Sequence, residues 1–233
     1  MKPYNFLLFD IDDTILDFTA TEKSALSTLF EQQGIVLTDE IEYSYERINQ
    51  SLWQAFERGE INRTEIFASR FPLLFEELNL DIDGLLFEKN YRHFLNHGHD
   101  LVDGSLELLQ ELSSRHSIYA VTNGISKTQY QRMEAANLLP LFEDIFVSED
   151  TGYQKPMKSY FDYVFNRIPN FSIDHALIIG DSLSSDILGG QAVGIDTCWF
   201  NPNLKPANPL IKPTYQIKKL DELHGIINKK TFA

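Results

Sequence analysis

The stretch Asn5 to Phe18, NFLLFDIDDTILDF, holds two carboxylates one residue apart, Asp10 and Asp12, with Asp13 and Thr14 directly behind them. Acids so spaced repel one another unless a cation or a shared proton offsets the repulsion, and the pattern therefore suggests a metal site. Further along, Thr122-Asn123-Gly124 offers a hydroxyl and backbone N–H groups suited to phosphate oxygens. Lys155 stands before Pro156, and Gly180-Asp181-Ser182 is followed by Asp186. Each group alone has a plain explanation: an acidic turn capping a helix, an ordinary turn, a surface lysine, a helix cap. Their arrival at the ends of successive strands is harder to explain as structure alone.

Those strands follow from the hydrophobic pattern. Phe6 to Phe9 is a short apolar run that reads as a buried parallel strand, with Asp10 at its carboxyl end, where ligands gather in open α/β sheets. Beyond Leu101 helix and strand patterns alternate, the sign of a parallel sheet covered on both faces. Strands are expected at Ser117–Thr122, Ile145–Val147, Ala176–Ile179 and Asp196–Phe200, and helices over 104–114, 126–137 and 184–193. Pro156 is placed at a first helical position ahead of Tyr160, Phe161, Val164 and Phe165. Four prolines keep 201–213 irregular, before an edge strand at Tyr215–Ile217 and a last helix at Glu222–Ile227.

Between Thr19 and His97 the pattern is helical throughout. The first helix runs through Ala25, Leu26, Leu29 and Phe30 to Gly34, and the second opens at Thr38-Asp39-Glu40. The third starts at Asn62 with Glu65 completing a capping box and Pro72 placed to kink it; the fourth begins near Asp83. The expected organisation is an α/β core from 1–15 and 98–233, with 16–97 inserted as an all-helical unit that could act as a lid. Tyr43, Tyr45, Trp53, Phe56, Phe67, Phe71 and Tyr91 fall mostly at helical spacing and are expected in its core, with one or two rings left for a substrate. Phe18 and Thr19, at the hinge, are better placed to touch a leaving group. His93, His97 and His99 lack metal-ligand spacing.

Composition narrows the partners. A formal net charge of −14 argues against a nucleic-acid polymer or an anionic membrane, which need clustered Lys and Arg, but not against a small phosphate ester. The single cysteine, Cys198, lies in an apolar run and reads as packing; it can form no intramolecular disulfide, which fits a reducing compartment. No stretch has the length of a membrane span or the make-up of a secretory signal, so a cytoplasmic location is expected. Oligomeric state is not encoded in any of these features.

Together the motifs resemble those of the haloacid dehalogenase-like hydrolases. Asp10-Ile11-Asp12-Asp13-Thr14 is similar to that family's first motif, Thr122 to its second, Lys155 to its third, and Gly180-Asp181 with Asp186 to its fourth, over essentially the whole chain. The resemblance implies a Rossmann-like parallel-sheet core with a helical cap inserted after the first motif. It further implies that Asp10 is a nucleophile forming an aspartyl-phosphate and Asp12 a general acid, then base. Mg²⁺ would be held by the carboxylates of Asp10 and Asp181 and the backbone carbonyl of Asp12, with Asp186 supporting and Thr122, Asn123 and Lys155 on the phosphoryl oxygens. Oxygen ligands and phosphate suit magnesium. A dehalogenase attacking carbon has no alkoxide to protonate, so the second acid points to phosphate esters. Asp13 departs from the glycine often found there.

DIDDT-ILDF is closest to the pyrimidine 5′-nucleotidase subgroup, which implies a nucleoside 5′-monophosphate. The alternatives are a phosphatase for phosphoglycolate or a sugar phosphate and, from another class, a phospho-accepting receiver module. Receivers share an acidic cluster, a Thr and a Lys-Pro on a parallel sheet, but are much shorter and lack a helical insertion.

Overall fold

The computed structural model describes residues 4–227. It divides into two compact units, one formed by 1–18 with 99–233 and the other by 19–98.

The first unit is built on six strands: β1 (Phe6–Phe9), β2 (Ser117–Thr122), β3 (Asp144–Val147), β4 (Ala176–Gly180), β5 (Asp196–Phe200) and β6 (Tyr215–Ile217). All pair in parallel, in the order β3-β2-β1-β4-β5-β6, as a Rossmann-like sheet. β1 is central, with Phe9 opposite Ala120 on one side and Ile179 on the other. Because side chains alternate along a strand, Leu7 and Phe9 join one core with Leu108, Leu109, Met133 and Leu223. Leu8 joins the other, with Phe146, Tyr160, Phe161 and Val164. Helices α5 (Ser105–Ser113), α6 (Ser126–Ala135) and α10 (Leu223–Ile227) supply residues to the first core, and α8 (Lys158–Phe165) to the second. The near-continuous apolar runs of β1 and β4 are what burial on both faces requires.

Two expectations are corrected. Pro156 is not a first helical residue: the Lys155–Pro156 peptide is cis and α8 starts at Lys158. The stretch expected as one helix over 184–193 is a π-helical turn, Leu183–Ile187, running into α9 (Leu188–Val193). A short helix, α7 (Ser148–Thr151), follows β3.

The second unit contains α1 (Phe18–Gln32) from Thr19 onward, α2 (Asp39–Glu57), α3 (Arg63–Glu77) and α4 (Gly84–Leu95). Thr38, Asn62 and Asp83 cap the last three, and Asn62 with Glu65 closes the capping box the sequence announces. Pro72 lies inside α3, which continues to Glu77. Tyr45, Phe56, Phe71 and Tyr91 are buried as expected, whereas Tyr43 is exposed and Trp53 and Phe67 are half-buried. A polar network runs through this core: Tyr45 and Tyr91 each donate to Glu22 Oε1, and Arg70 meets Glu88 through two bonds of 2.7 and 2.8 Å. No helix among the described residues is long and apolar enough to cross a membrane.

Candidate active site

The chain leaves β1 at Asp10, whose backbone N–H donates to Ile179 O on β4 and so keeps the residue in register at the sheet's end. A tight turn follows, closed by Ile15 and Leu16 N–H groups on Ile11 O and by Asp13 N–H on Leu16 O. Asp13 sits there at φ 56°, in the left-handed region. Aspartate tolerates that conformation better than most residues with a side chain, which accounts for its standing where glycine is common.

Lys155 reaches the same place from the loop before α8. Its buried ammonium donates to Asp10 Oδ1 (2.6 Å), Asp186 Oδ1 (2.7 Å) and Val121 O (2.7 Å), so all three protons have protein acceptors. Asn123 holds the lysine's backbone from both sides, accepting from Lys155 N–H and donating to Lys155 O. The Asn123 side chain is thus engaged with the loop that carries the lysine. Asp186 enters from the π-helical turn; Ser182 N–H donates to its Oδ2, and a Cβ on Gly180 would lie 2.2 Å from that oxygen. Only glycine at 180 leaves room for this approach.

Asp10, Asp181 and Asp186 each present a carboxylate oxygen, all within 4.8 Å of one another. Burial pushes the Asp10 carboxyl well above the ordinary range, opposed by Lys155 and reinforced by Asp186, Asp181 and Asp12. Burial likewise raises Asp181 to about 7, against the pull of Lys205. Burial would lower the Lys155 ammonium, but Asp10 and Asp186 outweigh it and hold the group above its usual value. Three crowded carboxylates against two ammonium groups leave negative charge unmet, and their oxygens are the hard donors a divalent ion such as Mg²⁺ prefers. The donor set therefore fits such an ion.

Asp12 takes a different environment. Its carboxylate is clasped by α6, with Arg132 Nη1 on Oδ1 (2.5 Å) and Gln129 Nε2 on Oδ2 (2.7 Å). Thr122, at the end of β2, is fully buried and its Oγ1 accepts from Gln129 Nε2 (2.8 Å) and from Gly124 N–H (3.1 Å). Thr14 is fully buried, with no hydrogen-bond partner for Oγ1 among the described residues.

Sequence reasoning missed Gln129, Arg132 and Lys205. Lys205, half exposed on the proline-rich loop, donates to Asp181 Oδ2 at 2.9 Å, and Asn201 holds its backbone as Asn123 holds that of Lys155. Nothing in local sequence marks it. For α6 a signal existed: its inward positions are Gln129, Arg132 and Met133, so two of three residues facing the interior are polar.

A family model described as haloacid dehalogenase-like hydrolase matches residues 7–200. The chain belongs to the haloacid dehalogenase-like hydrolases. Among members of this family, the HAD-hydrolase YfnB of Bacillus subtilis is 56% identical over 228 residues, covering 98% of this chain and 97% of YfnB. A crystal structure of YfnB, described as bound to magnesium and as revealing interdomain movement, superposes with a TM-score of 0.92 over 97% of this chain and 100% of YfnB. The pyrimidine 5′-nucleotidases PynA of Streptococcus pneumoniae and YjjG of Escherichia coli are 35% and 31% identical, each covering 97% of this chain and 96% and 99% of their own lengths.

Proposed function

We propose that this hydrolase is a magnesium-dependent phosphatase of small phosphate monoesters, acting on nucleoside 5′-monophosphates and on pyrimidines ahead of purines. The observation that carries the chemistry is the gathering of Asp10, at the end of the central strand, with the Lys155 ammonium and the carboxylates of Asp181 and Asp186. The nucleotide preference is supported by the two pyrimidine 5′-nucleotidases among the relatives. In this reading 1–15 with 98–233 is the catalytic core and 16–97 a cap that selects substrate.

Asp10 attacks phosphorus through a carboxylate oxygen as the bond to the leaving alcohol breaks, giving an aspartyl-phosphate. Asp12 donates a proton to the departing oxygen, then removes one from the water that hydrolyses the acyl-phosphate and regenerates Asp10. Lys155 fixes the Asp10 rotamer and offers positive charge to the equatorial oxygens, exchanging one of its protein acceptors for substrate. Thr122 donates to a phosphoryl oxygen, and Asn123 keeps the Lys155 loop in place. Asp10, Asp181 and the Asp12 carbonyl, with Asp186 in support, would hold magnesium, which would supply neutralisation of phosphoryl charge.

Phosphate release with Mg²⁺ from uridine, thymidine and guanosine monophosphates, phosphoglycolate and a hexose phosphate tests this. Stacking is worth about 1–3 kcal/mol per base, enough for preference without exclusivity. A sugar phosphate or phosphoglycolate exceeding every nucleotide in kcat/KM by about tenfold, ~1.4 kcal/mol, would rule out the nucleotidase assignment and leave the phosphatase one.

A further inference from the structure

Gln129 is a saturated hub. Arg132 is donor-only, so the amide end it meets, at 3.0 Å, is the Gln129 oxygen. With that end fixed, both Nε2 protons face the site, one on Asp12 Oδ2 and one on Thr122 Oγ1. Thr122 Oγ1 also accepts from Gly124 N–H. A hydroxyl has two lone pairs and one proton; with both lone pairs taken by N–H donors, the Thr122 hydroxyl is left to act as a donor. Phosphoryl oxygens only accept, so that is the polarity they need. The backbone is shaped around this amide: a Cβ on Gly124 would lie 2.5 Å from Gln129 Nε2. The arrangement also buries a guanidinium, a costly step whose acceptors here are Asp12 and Gln129.

We infer that Arg132 and Gln129 are positioning residues: Arg132 sets the orientation of the Gln129 amide, Gln129 sets the donor direction of the Thr122 hydroxyl, and the two together fix the rotamer of Asp12. The inference rests on the assignment of Thr122 to a phosphoryl oxygen and of Asp12 to the leaving group.

Inhibition of the magnesium-loaded enzyme by inorganic phosphate reads the Thr122 branch. Thr122→Val should weaken it, and Gln129→Met should weaken it by about tenfold, the size of losing one hydrogen bond to a charged group. The double variant should be no weaker than Thr122→Val alone. Gln129→Glu, which keeps the acceptor for Arg132 but turns the Thr122 hydroxyl inward and adds negative charge, should weaken phosphate inhibition at least as much as Gln129→Met and serves if that variant fails to fold. For the Asp12 branch, Asp12→Asn should depress hydrolysis of an alkyl phosphate more than of an activated aryl phosphate; Arg132→Met should do the same, with no added loss in the pair. Additive losses in the double variants overturn the coupling alone, as do Gln129 variants that leave phosphate inhibition unchanged while Thr122→Val weakens it. If Thr122→Val itself has no effect, the phosphoryl contact falls and this inference with it.

Discussion

Lys155 Nζ stands 2.6 Å from Asp10 Oδ1, joining residues 145 positions apart in the chain. The same nitrogen neutralises Asp186, so one ammonium serves two buried carboxylates. Replacing Lys155 by Met leaves both uncompensated, and removing one partner of a buried ion pair costs ~3–5 kcal/mol. Urea unfolding of metal-free protein should show a loss of that order, with part recovered when magnesium is added because a ligand of the folded state alone stabilises it. An unchanged midpoint would show that Lys155 is not what holds the two carboxylates.

Asp10→Asn should abolish phosphate release while preserving the fold. The amide fills the same space and its oxygen still accepts from Lys155, but it forms no acyl-phosphate. Activity within about tenfold of the unaltered enzyme, ~1.4 kcal/mol in barrier, would sink the nucleophile role. Thermal unfolding of the same preparation separates loss of chemistry from loss of structure.

Within the helical unit, Arg70 and Glu88 are buried and doubly bonded, with the guanidinium 4.5 Å above the Tyr91 ring. Glu88→Leu and Arg70→Met should each destabilise by ~3–5 kcal/mol. Arg70→Met with Glu88→Leu should cost less than the sum of the single changes, since no charge is then stranded. Arg47–Glu77, between exposed side chains, should barely move the unfolding curve when broken. Strict additivity at Arg70 and Glu88 would contradict the coupling.

Burial, with a smaller push from Glu222, raises the Cys198 thiol from its ordinary 9.0 to about 12. Burial and then Glu22 raise the Tyr45 and Tyr91 hydroxyls. The folded chain thus holds these protons more tightly than the unfolded one. Their contribution to stability is complete below about pH 9 and is lost as pH rises toward 12. At pH 8 a thiol reagent should label Cys198 only when denaturant is present, and stability should decline above pH 9. Rapid labelling of native protein at pH 8 would refute the burial argument.

What could be read beforehand divides along physical lines. Phe6–Phe9 and Ala176–Gly180 declare themselves by continuous apolar character, and Asn62 with Glu65 by capping chemistry; both signals are local. Asp10, Thr122 and Asp181 stand out because their types are odd at or just past the ends of buried strands. The Arg132–Asp12 and Gln129–Asp12 contacts span 120 and 117 residues and have no periodic signature. Lys205 on Asp181 depends on the course of an irregular loop, where no pattern constrains direction. The start of α8 was misplaced because a proline before an amphipathic run is ordinarily its first residue, whereas here Pro156 lies in the turn ahead of it.

The central position of β1 has a bearing on how the chain is made. Its four residues precede both of their neighbours in the chain by a long way, one being β2, at Ser117–Thr122, and the other β4, at Ala176–Gly180. Non-local parallel pairing is slow, because loop closure must be met before any contact rewards it. The helices of 19–98 form a compact unit of their own. During synthesis the helical segment can therefore be complete while the strand bearing Asp10 still waits, with an open edge, for β2 and then β4.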